Sequence, residues 1–133
     1  MKDINVSNIK SELSKINSKY SNINYGACGT FSYHLSEKLD TLGIENKIVY
    51  IPEISTPDDS YRCDIKFQHI LVKVGDYLID NNNVYYYDKY YTLELEKEKL
   101  KLMLSDKKLW NNIFPYEDWE KLGNDINNLN IKI

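Results

Sequence analysis

The chain has 133 residues, a net charge of -3 and a mean hydropathy of -0.55, values typical of one water-soluble domain. No apolar run approaches the ~18 residues of a membrane span, and the lysines are scattered with Arg62 as the one arginine, so we expect neither a membrane nor a nucleic acid as partner. Two cysteines are too few for a disulfide framework, and the N-terminus lacks the apolar stretch of a signal peptide. We therefore expect a single domain, residues 1–133, in a reducing cytoplasm.

Two helices are predicted in the first third of the chain. Apolar side chains three or four residues apart predict the first over residues 7–20, with Ser7 as its N-cap. The second ends at Gly43, which suits a C-terminal cap, and its apolar stripe consists of Phe31, Leu35, Leu39 and Leu42. Cys28 stands at the head of this helix on the side of the stripe, so we expect it to face whatever the helix packs against.

β-Branched and aromatic residues predict a sheet in the middle of the chain, with strands over residues 47–51, 65–74 and 77–80. The segment 52–64 is rich in turn residues and predicts a loop of a length that is often functional. Gly75-Asp76 is typical of the two-residue turn of a β-hairpin. The sequence thus predicts an α+β fold in which N-terminal helices pack on an antiparallel sheet and further helices follow.

The register of this hairpin decides which side chains meet. If Val74 pairs with Tyr77, His69 becomes a diagonal neighbour of Asp80 on the same face. Diagonal positions are about 7 to 8 Å apart at the backbone, within reach of a hydrogen bond between a carboxylate and an imidazole. Asn82 would lie directly across from His69 and is a rival orienting group. A three-residue turn would place His69 and Asp80 on opposite faces.

The rest of the sequence predicts short elements. Residues 85–91 fit an edge strand or a loop over the sheet, and residues 92–104 favour a charged helix, although Leu93-Glu94-Leu95-Glu96 equally fits a strand. The remaining predictions are a helix capped by Ser105 or Asp106 and stopped by Pro115, a last turn around Trp119 and Leu122, and a strand over residues 129–133.

Cys28 is the residue that points to chemistry. It lies in Tyr25-Gly26-Ala27-Cys28-Gly29-Thr30, where a turn leads into a helix, and the positive end of a helix dipole favours a thiolate over a thiol. The unpaired N–H groups of the first helical turn also suit a developing oxyanion. A lone cysteine is more often a small buried apolar residue. Here the order of Cys28, His69 and Asp80 favours a thiol nucleophile with a base and an orienting carboxylate.

Three stretches together resemble the core of the transglutaminase-like and papain-like cysteine protease superfamily, its phage-encoded members in particular. They are Gly26-Ala27-Cys28-Gly29-Thr30-Phe31, then Leu39-Asp40-Thr41-Leu42-Gly43-Ile44 with the strand over 47–51, and finally His69-Ile70-Leu71-Val72-Lys73-Val74-Gly75-Asp76-Tyr77-Leu78-Ile79-Asp80. The resemblance covers residues 25–84. It implies a helix headed by the cysteine and packed on an antiparallel sheet, with the histidine and the aspartate on adjacent strands.

Position by position, the resemblance implies that Cys28 is the nucleophile, His69 the general base and acid, and Asp80 the group that orients the imidazole. The expected substrate and oxyanion residues are Tyr25, Gly29, Gln68 and Asn82, with Asn22 and Asn24 as rivals to Tyr25 for the second oxyanion donor. The sequence departs from the family in two places. Ile70-Leu71 follows the histidine where an alanine and an aromatic residue are common, and Asn81 follows the aspartate where a proline is common. These departures leave the substrate class open.

The sequence therefore predicts a thiol-dependent acyl-transfer enzyme, a peptidase, deamidase or transglutaminase, acting on a protein or peptide amide without a cofactor. A zinc site from Cys28, His34, Cys63 and His69 does not fit the short ligand spacings of structural zinc, so we expect no metal. We also expect the His34 side chain to be exposed. A non-catalytic binding protein or phage-type inhibitor, sequestering a host protein through tyrosines within residues 85–91, is the alternative. Frequent asparagine, lysine, isoleucine and tyrosine are typical of AT-rich bacterial and phage genomes, and agree with the cytoplasm of a bacterial host.

Overall fold

A computed structural model describes residues 5–20, 28–52, 67–81, 83–86, 91–104 and 116–131. Within these ranges the protein forms four helices and five strands. In sequence order they are α1 (Val6–Lys19), α2 (Cys28–Thr41), β1 (Lys47–Pro52), β2 (Phe67–Val74), β3 (Tyr77–Ile79), β4 (Val84–Tyr86), β5 (Leu93–Glu94), α3 (Lys97–Leu104) and α4 (Tyr116–Asn127). None of these helices combines the length and the apolar character that crossing a bilayer requires.

These five strands form one antiparallel sheet in the order β4-β3-β2-β1-β5. Gly75 and Asp76 close the hairpin between β2 and β3, and Gly75 has a φ of 56°, which a glycine adopts without strain at the first position of such a turn. Val74 pairs with Tyr77, so the predicted two-residue turn and its register are confirmed. The α+β class with an antiparallel sheet is confirmed as well.

Helices α1, α2 and α4 share one core with one face of the sheet. Its members include Ile9, Leu13, Phe31, Leu35, Leu39, Val72, Val74, Ile79, Leu122 and Ile126. The apolar stripe predicted for α2 is confirmed, and the helix ends as predicted before Gly43, whose φ is 72°. There the N–H of Gly43 donates to the C=O of Asp40 and the N–H of Ile44 to the C=O of Leu39, which satisfies carbonyls of the last turn.

The start of α1 differs from the prediction. Its N-cap is Asn5 and not Ser7, because the Asn5 side chain accepts the N–H of Asn8 at 3.0 Å from an extended backbone conformation. Asparagine and serine cap helices about equally well, so the residue types alone do not separate the two positions.

The helix predicted over residues 92–104 begins only at Lys97, and the strand alternative holds for its first part. Leu93 and Glu94 form β5, which pairs with the open edge of β1. The N–H of Leu95 extends this pairing by donating to the C=O of Ile48 at 2.8 Å. A long-range backbone contact therefore overrides a locally helical pattern.

The C-terminal segment also differs from the prediction. Trp119 and Leu122 lie in a helix of 12 residues, α4, and not in a single turn. Residues 129–131 are not a strand, because the N–H of Asn130 donates to the carboxylate of Glu12 instead of to a strand neighbour. Glu12 is buried and also pairs with Lys15 at 2.6 Å, so this carboxylate joins the tail to α1.

His34 is half-buried and not exposed as predicted, because α4 packs against it. A methyl group on Gly123 would lie 2.6 Å from His34 Cε1, so the absence of a side chain at residue 123 makes room for the imidazole. Burial lowers the pKa of His34, although the negative charge of Glu37 acts in the opposite direction. The ring is therefore neutral at pH 7.

Some predictions fall on residues outside the described ranges. They are the loop over residues 53–64, the helix that begins at Ser105 or Asp106, and the tyrosine-rich segment at residues 87–90.

The contact between His34 and Gly123 makes a stability prediction. Gly123→Ala should lower the free energy of unfolding by about 1 to 3 kcal/mol, the usual cost of an extra methyl group in a packed interface. Urea unfolding followed by circular dichroism measures the change. In a His34→Ala background the same substitution should be neutral or stabilising by up to ~1 kcal/mol, since alanine favours a helix more than glycine does. An equal cost in both backgrounds would contradict the packing.

Candidate active site

The candidate site lies where the N-terminus of α2 meets β2. Cys28 is the first residue of α2 and is only 6% exposed. It belongs to a buried cluster with Ile48 of β1, Ile70 of β2, and Leu95 and Leu100. The prediction that Cys28 faces the elements on which its helix packs is confirmed.

His69 and Asp80 meet across the hairpin. The distance from His69 Nε2 to Asp80 Oδ2 is 2.9 Å, with the His69 side chain 20% exposed and that of Asp80 6% exposed. The predicted diagonal contact is therefore present. The Cys28 thiol lies close enough to the His69 ring to contribute to the raised pKa of the ring. Because Asp80 engages Nε2, the ring nitrogen left for the sulfur is Nδ1.

The two acidic neighbours determine the charge of His69. Burial by itself lowers the pKa of the ring, but the neighbouring Asp80 carboxylate and Cys28 thiol outweigh it and raise the pKa to about 9. At neutral pH the ring is accordingly an imidazolium between a carboxylate and a sulfur.

Asp80 is held by a turn of its own just beyond β3. Its Oδ1 accepts the N–H of Asn83 at 2.9 Å, and its own N–H donates to the C=O of Asn83 at 3.2 Å. The Asn83 side chain in turn accepts the N–H of Val84 at 2.9 Å. These bonds direct the other carboxylate oxygen, Oδ2, toward His69. Sequence reasoning did not single out Asn83, although a run of asparagines after a strand is a signal for such a turn.

An irregularity in the sheet lies beside His69. Strict alternation along β2 would set His69 on the opposite face from Ile70, which lies in the Cys28 cluster. The register of β1 with β2 shifts between Ile51 and Pro52, next to the pairing position of His69. Side chains at a bulge leave the regular alternation, which allows the ring to turn toward the helix.

The sheet also opens between β2 and β3 at this point. Among the described residues their ladder ends with the pair Val72 and Ile79. Beyond it, Ser32 Oγ of α2 donates to the C=O of Ile70 at 3.1 Å in a buried hydrogen bond. Helix α2 thus lies beside the part of β2 that is not paired with β3. Its first residue, Cys28, lies next to the His69 ring. Sequence reasoning missed Ser32, whose signal is a serine one helical turn after the cysteine.

The other predicted site residues are placed as follows. Gly29 is buried in the first turn of α2, where the N–H groups have no acceptor within the helix. Gln68 directly precedes His69 in β2. The remaining ones lie outside the described residues, namely Asn22, Asn24, Tyr25, Cys63 and Asn82. Within the described ranges, no three His, Cys, Asp or Glu side chains are grouped as metal ligands.

Comparison of the sequence with family models, with curated proteins and with solved structures returns no match. The fold and the site define an α+β protein in which a histidine is hydrogen-bonded to an aspartate and lies next to a buried cysteine. Any assignment to a family rests on this arrangement and on the sequence resemblance.

The charge on His69 can be tested by removing the carboxylate. Asp80→Asn should lower the pKa of His69 from about 9 toward its ordinary 6.5, because the carboxylate that opposes the pKa-lowering effect of burial is removed. NMR titration of the imidazole protons measures the shift, and the other histidine of the sequence, His34, gives a reference signal. Asp76→Asn is the matched control, since it removes an exposed carboxylate from the turn of the same hairpin. An identical His69 titration in all three proteins would contradict the contact.

The same interaction makes stability depend on pH. Because the folded-state pKa of His69 lies above the ordinary 6.5, the imidazolium stabilises the fold fully below that pH and loses this contribution as the pH rises through about 9. The difference in unfolding free energy between the native protein and Asp80→Asn should therefore be largest near pH 6 and shrink above pH 9. Urea unfolding at both pH values measures it, and a difference independent of pH would refute the linkage.

Proposed function

We propose that the protein is a thiol-dependent acyl-transfer enzyme of the papain-like and transglutaminase-like type, acting on an amide of a protein or peptide. The observation that carries the proposal is the row of Cys28, the His69 ring and Asp80, with 2.9 Å between His69 Nε2 and Asp80 Oδ2. Burying these groups together costs desolvation energy, and perturbed titratable groups of this kind cluster at functional sites.

Acylation follows from the ion pair. The Cys28 thiolate attacks the carbonyl carbon of the amide and forms a C–S bond, while the carbonyl oxygen takes the negative charge. The N–H groups of Cys28 and Gly29 at the head of α2 bind that oxyanion. The His69 imidazolium then gives its proton to the leaving nitrogen as the C–N bond breaks, so a thioester on Cys28 and a free amine result.

Deacylation reverses the roles of the same groups. Neutral His69 takes a proton from water or from an amine, and that nucleophile attacks the thioester carbonyl and displaces the sulfur as thiolate. Water as acceptor gives hydrolysis or deamidation, and an amine gives transfer or crosslinking. Asp80 keeps a proton on Nε2 throughout, so that Nδ1 remains the nitrogen that exchanges protons at the sulfur.

The order of elements supports the family part of the proposal. A helix headed by the cysteine packs on an antiparallel sheet, and the histidine and the aspartate come from neighbouring strands, as the sequence resemblance implies. The protein's own residues supply nucleophile, base and oxyanion donors, so the reaction needs no cofactor. A reducing compartment, such as the cytoplasm of a bacterial host, would keep the thiolate free of disulfide.

A binding protein that keeps this fold is the second candidate, and exposed aromatic side chains favour it. Tyr86 on β4 is 56% exposed and stacks on Tyr77 with ring centroids 5.4 Å apart, while Tyr91 is 72% exposed. Tyrosines provide contact area at low entropic cost. This candidate is preferred if Cys28→Ala preserves the biological effect and Tyr86→Ala abolishes it.

Alkylation kinetics test the activated thiol. In a Cys63→Ser background Cys28 is the only thiol of the protein. Iodoacetamide should label it stoichiometrically near pH 6, where a thiol of ordinary pKa, about 8.5, is almost wholly protonated. His69→Ala should slow labelling by about tenfold or more, because it removes the counter-ion of the thiolate. The reciprocal protein, Cys28→Ser, leaves Cys63 as the baseline thiol, and equal rates for the two single-cysteine proteins would overturn the proposal.

A pre-steady-state experiment tests acyl transfer itself. With p-nitrophenyl acetate, the Cys63→Ser protein should release a burst of about one equivalent of p-nitrophenol and carry an acetyl group on Cys28, seen by intact-mass spectrometry. Cys28→Ala should abolish both signals. Asp80→Asn should slow the burst without changing its stoichiometry, since the carboxylate supports the base but does not itself carry the acyl group. A folded protein that forms no adduct would argue against acyl transfer.

A further inference from the structure

We propose that Asn17 of α1 is a positioning residue for this site: its side-chain amide clamps the turn that carries Asp80 and so sets the carboxylate against the imidazole. The inference rests on the proposed function, because it assigns a role in the Cys28, His69 and Asp80 arrangement to a residue outside it.

Asn17 and Asn81 form two reciprocal hydrogen bonds. Asn17 Nδ2 donates to the backbone carbonyl oxygen of Asn81, and Asn81 Nδ2 donates to Asn17 Oδ1 at 2.8 Å. One bond holds the backbone and the other holds the side chain, so together they fix both the position and the rotation of residue 81 relative to α1. Asn81 is buried and directly follows Asp80.

The turn lies at the end of the hairpin of β3 and β4. Ile79 pairs with Val84, and the N–H of Asp80 donates to the C=O of Asn83 across the turn. Among the described residues the pairing of β3 with β2 has already ended at Val72 and Ile79, so a contact with another element adds support to the turn. Asn17 connects it to α1, whose apolar residues are anchored in the main core.

The position of Asn17 in its helix supports the assignment. Ile9 and Leu13 are buried at a four-residue interval, and Asn17 is the next residue in that series. The buried stripe of α1 continues through Ile16 to Tyr20, and Asn17 lies beside it with an amide that bonds to the Asp80 turn. A polar amide beside an apolar stripe is the signal that sequence reasoning missed.

A matched pair of asparagines tests the clamp in the Cys63→Ser protein. Asn8 is also on α1, and its Nδ2 donates to a remote backbone carbonyl oxygen, that of Asn130, at 3.1 Å. Asn8→Ala therefore removes a comparable hydrogen bond without touching the Asp80 turn. The readouts are the NMR titration of His69, with His34 as reference, and the pH–rate profile of Cys28 alkylation.

Asn17→Ala should move the His69 titration midpoint down by about one pH unit and slow alkylation near pH 6 by roughly tenfold, because a misplaced carboxylate supports the imidazolium less. Asn8→Ala should leave both readouts unchanged. Asn81→Ala keeps the carbonyl that Asn17 binds but loses the side-chain donor, so it should give a smaller shift in the same direction. The Asn81→Ala variant also tests the clamp if Asn17→Ala does not fold.

The proposal is overturned if Asn17→Ala, or Asn81→Ala in its place, gives the same His69 titration and alkylation profile as Asn8→Ala. The titration needs no turnover, so failure of the clamp and failure of the enzyme are distinguishable. If Cys28 forms no acyl adduct but the His69 titration still changes in Asn17→Ala, only the proposed enzyme activity is refuted. If Cys28 is acylated but the His69 titration does not change in Asn17→Ala, only the clamp is refuted.

Discussion

The hydrogen bond between His69 and Asp80 is the contact on which the rest of the site depends, and it exists only in one register of one hairpin. A slip of one residue would turn one of the two side chains to the other face of the sheet. Val74 pairs with Tyr77 because only two residues separate them, and Gly75 makes that short connection by adopting a positive φ. A glycine at the far end of the hairpin therefore determines whether the imidazole meets a carboxylate.

Bringing these groups together has an electrostatic cost that local partners offset. A buried carboxylate is expensive unless hydrogen bonds satisfy it, and Asp80 receives one from the Asn83 N–H and another from His69. The sulfur of Cys28 lies at the positive end of a 14-residue helix and against the imidazolium. The cluster around Cys28 is otherwise apolar, and a low local dielectric strengthens each of these interactions.

Features with local determinants were predictable from the sequence, and features that depend on distant segments were not. The hairpin follows from Gly75-Asp76 between two β-branched runs, and the contact of His69 with Asp80 follows from that hairpin. By contrast, β5 exists because the edge of β1 is available to pair, and His34 is covered because a glycine of α4 allows close approach. A hydrophobic pattern shows which face of an element is buried but not which segment buries it. The meeting of Cys28 with His69 also depends on distant segments, and the sequence predicted it only through the order of these residues and the family resemblance.

The irregularity of the sheet is itself a requirement of the site. If β3 continued to pair along β2, the carbonyl of Ile70 that Ser32 binds would belong to the ladder. Among the described residues the pairs of β2 with β3 end at Val72 and Ile79, so this carbonyl is left for α2. Strict alternation along β2 would keep His69 on the face opposite Ile70, and the register shift between β1 and β2 lies beside it. The candidate site therefore lies where the described pairing of β2 with β3 stops.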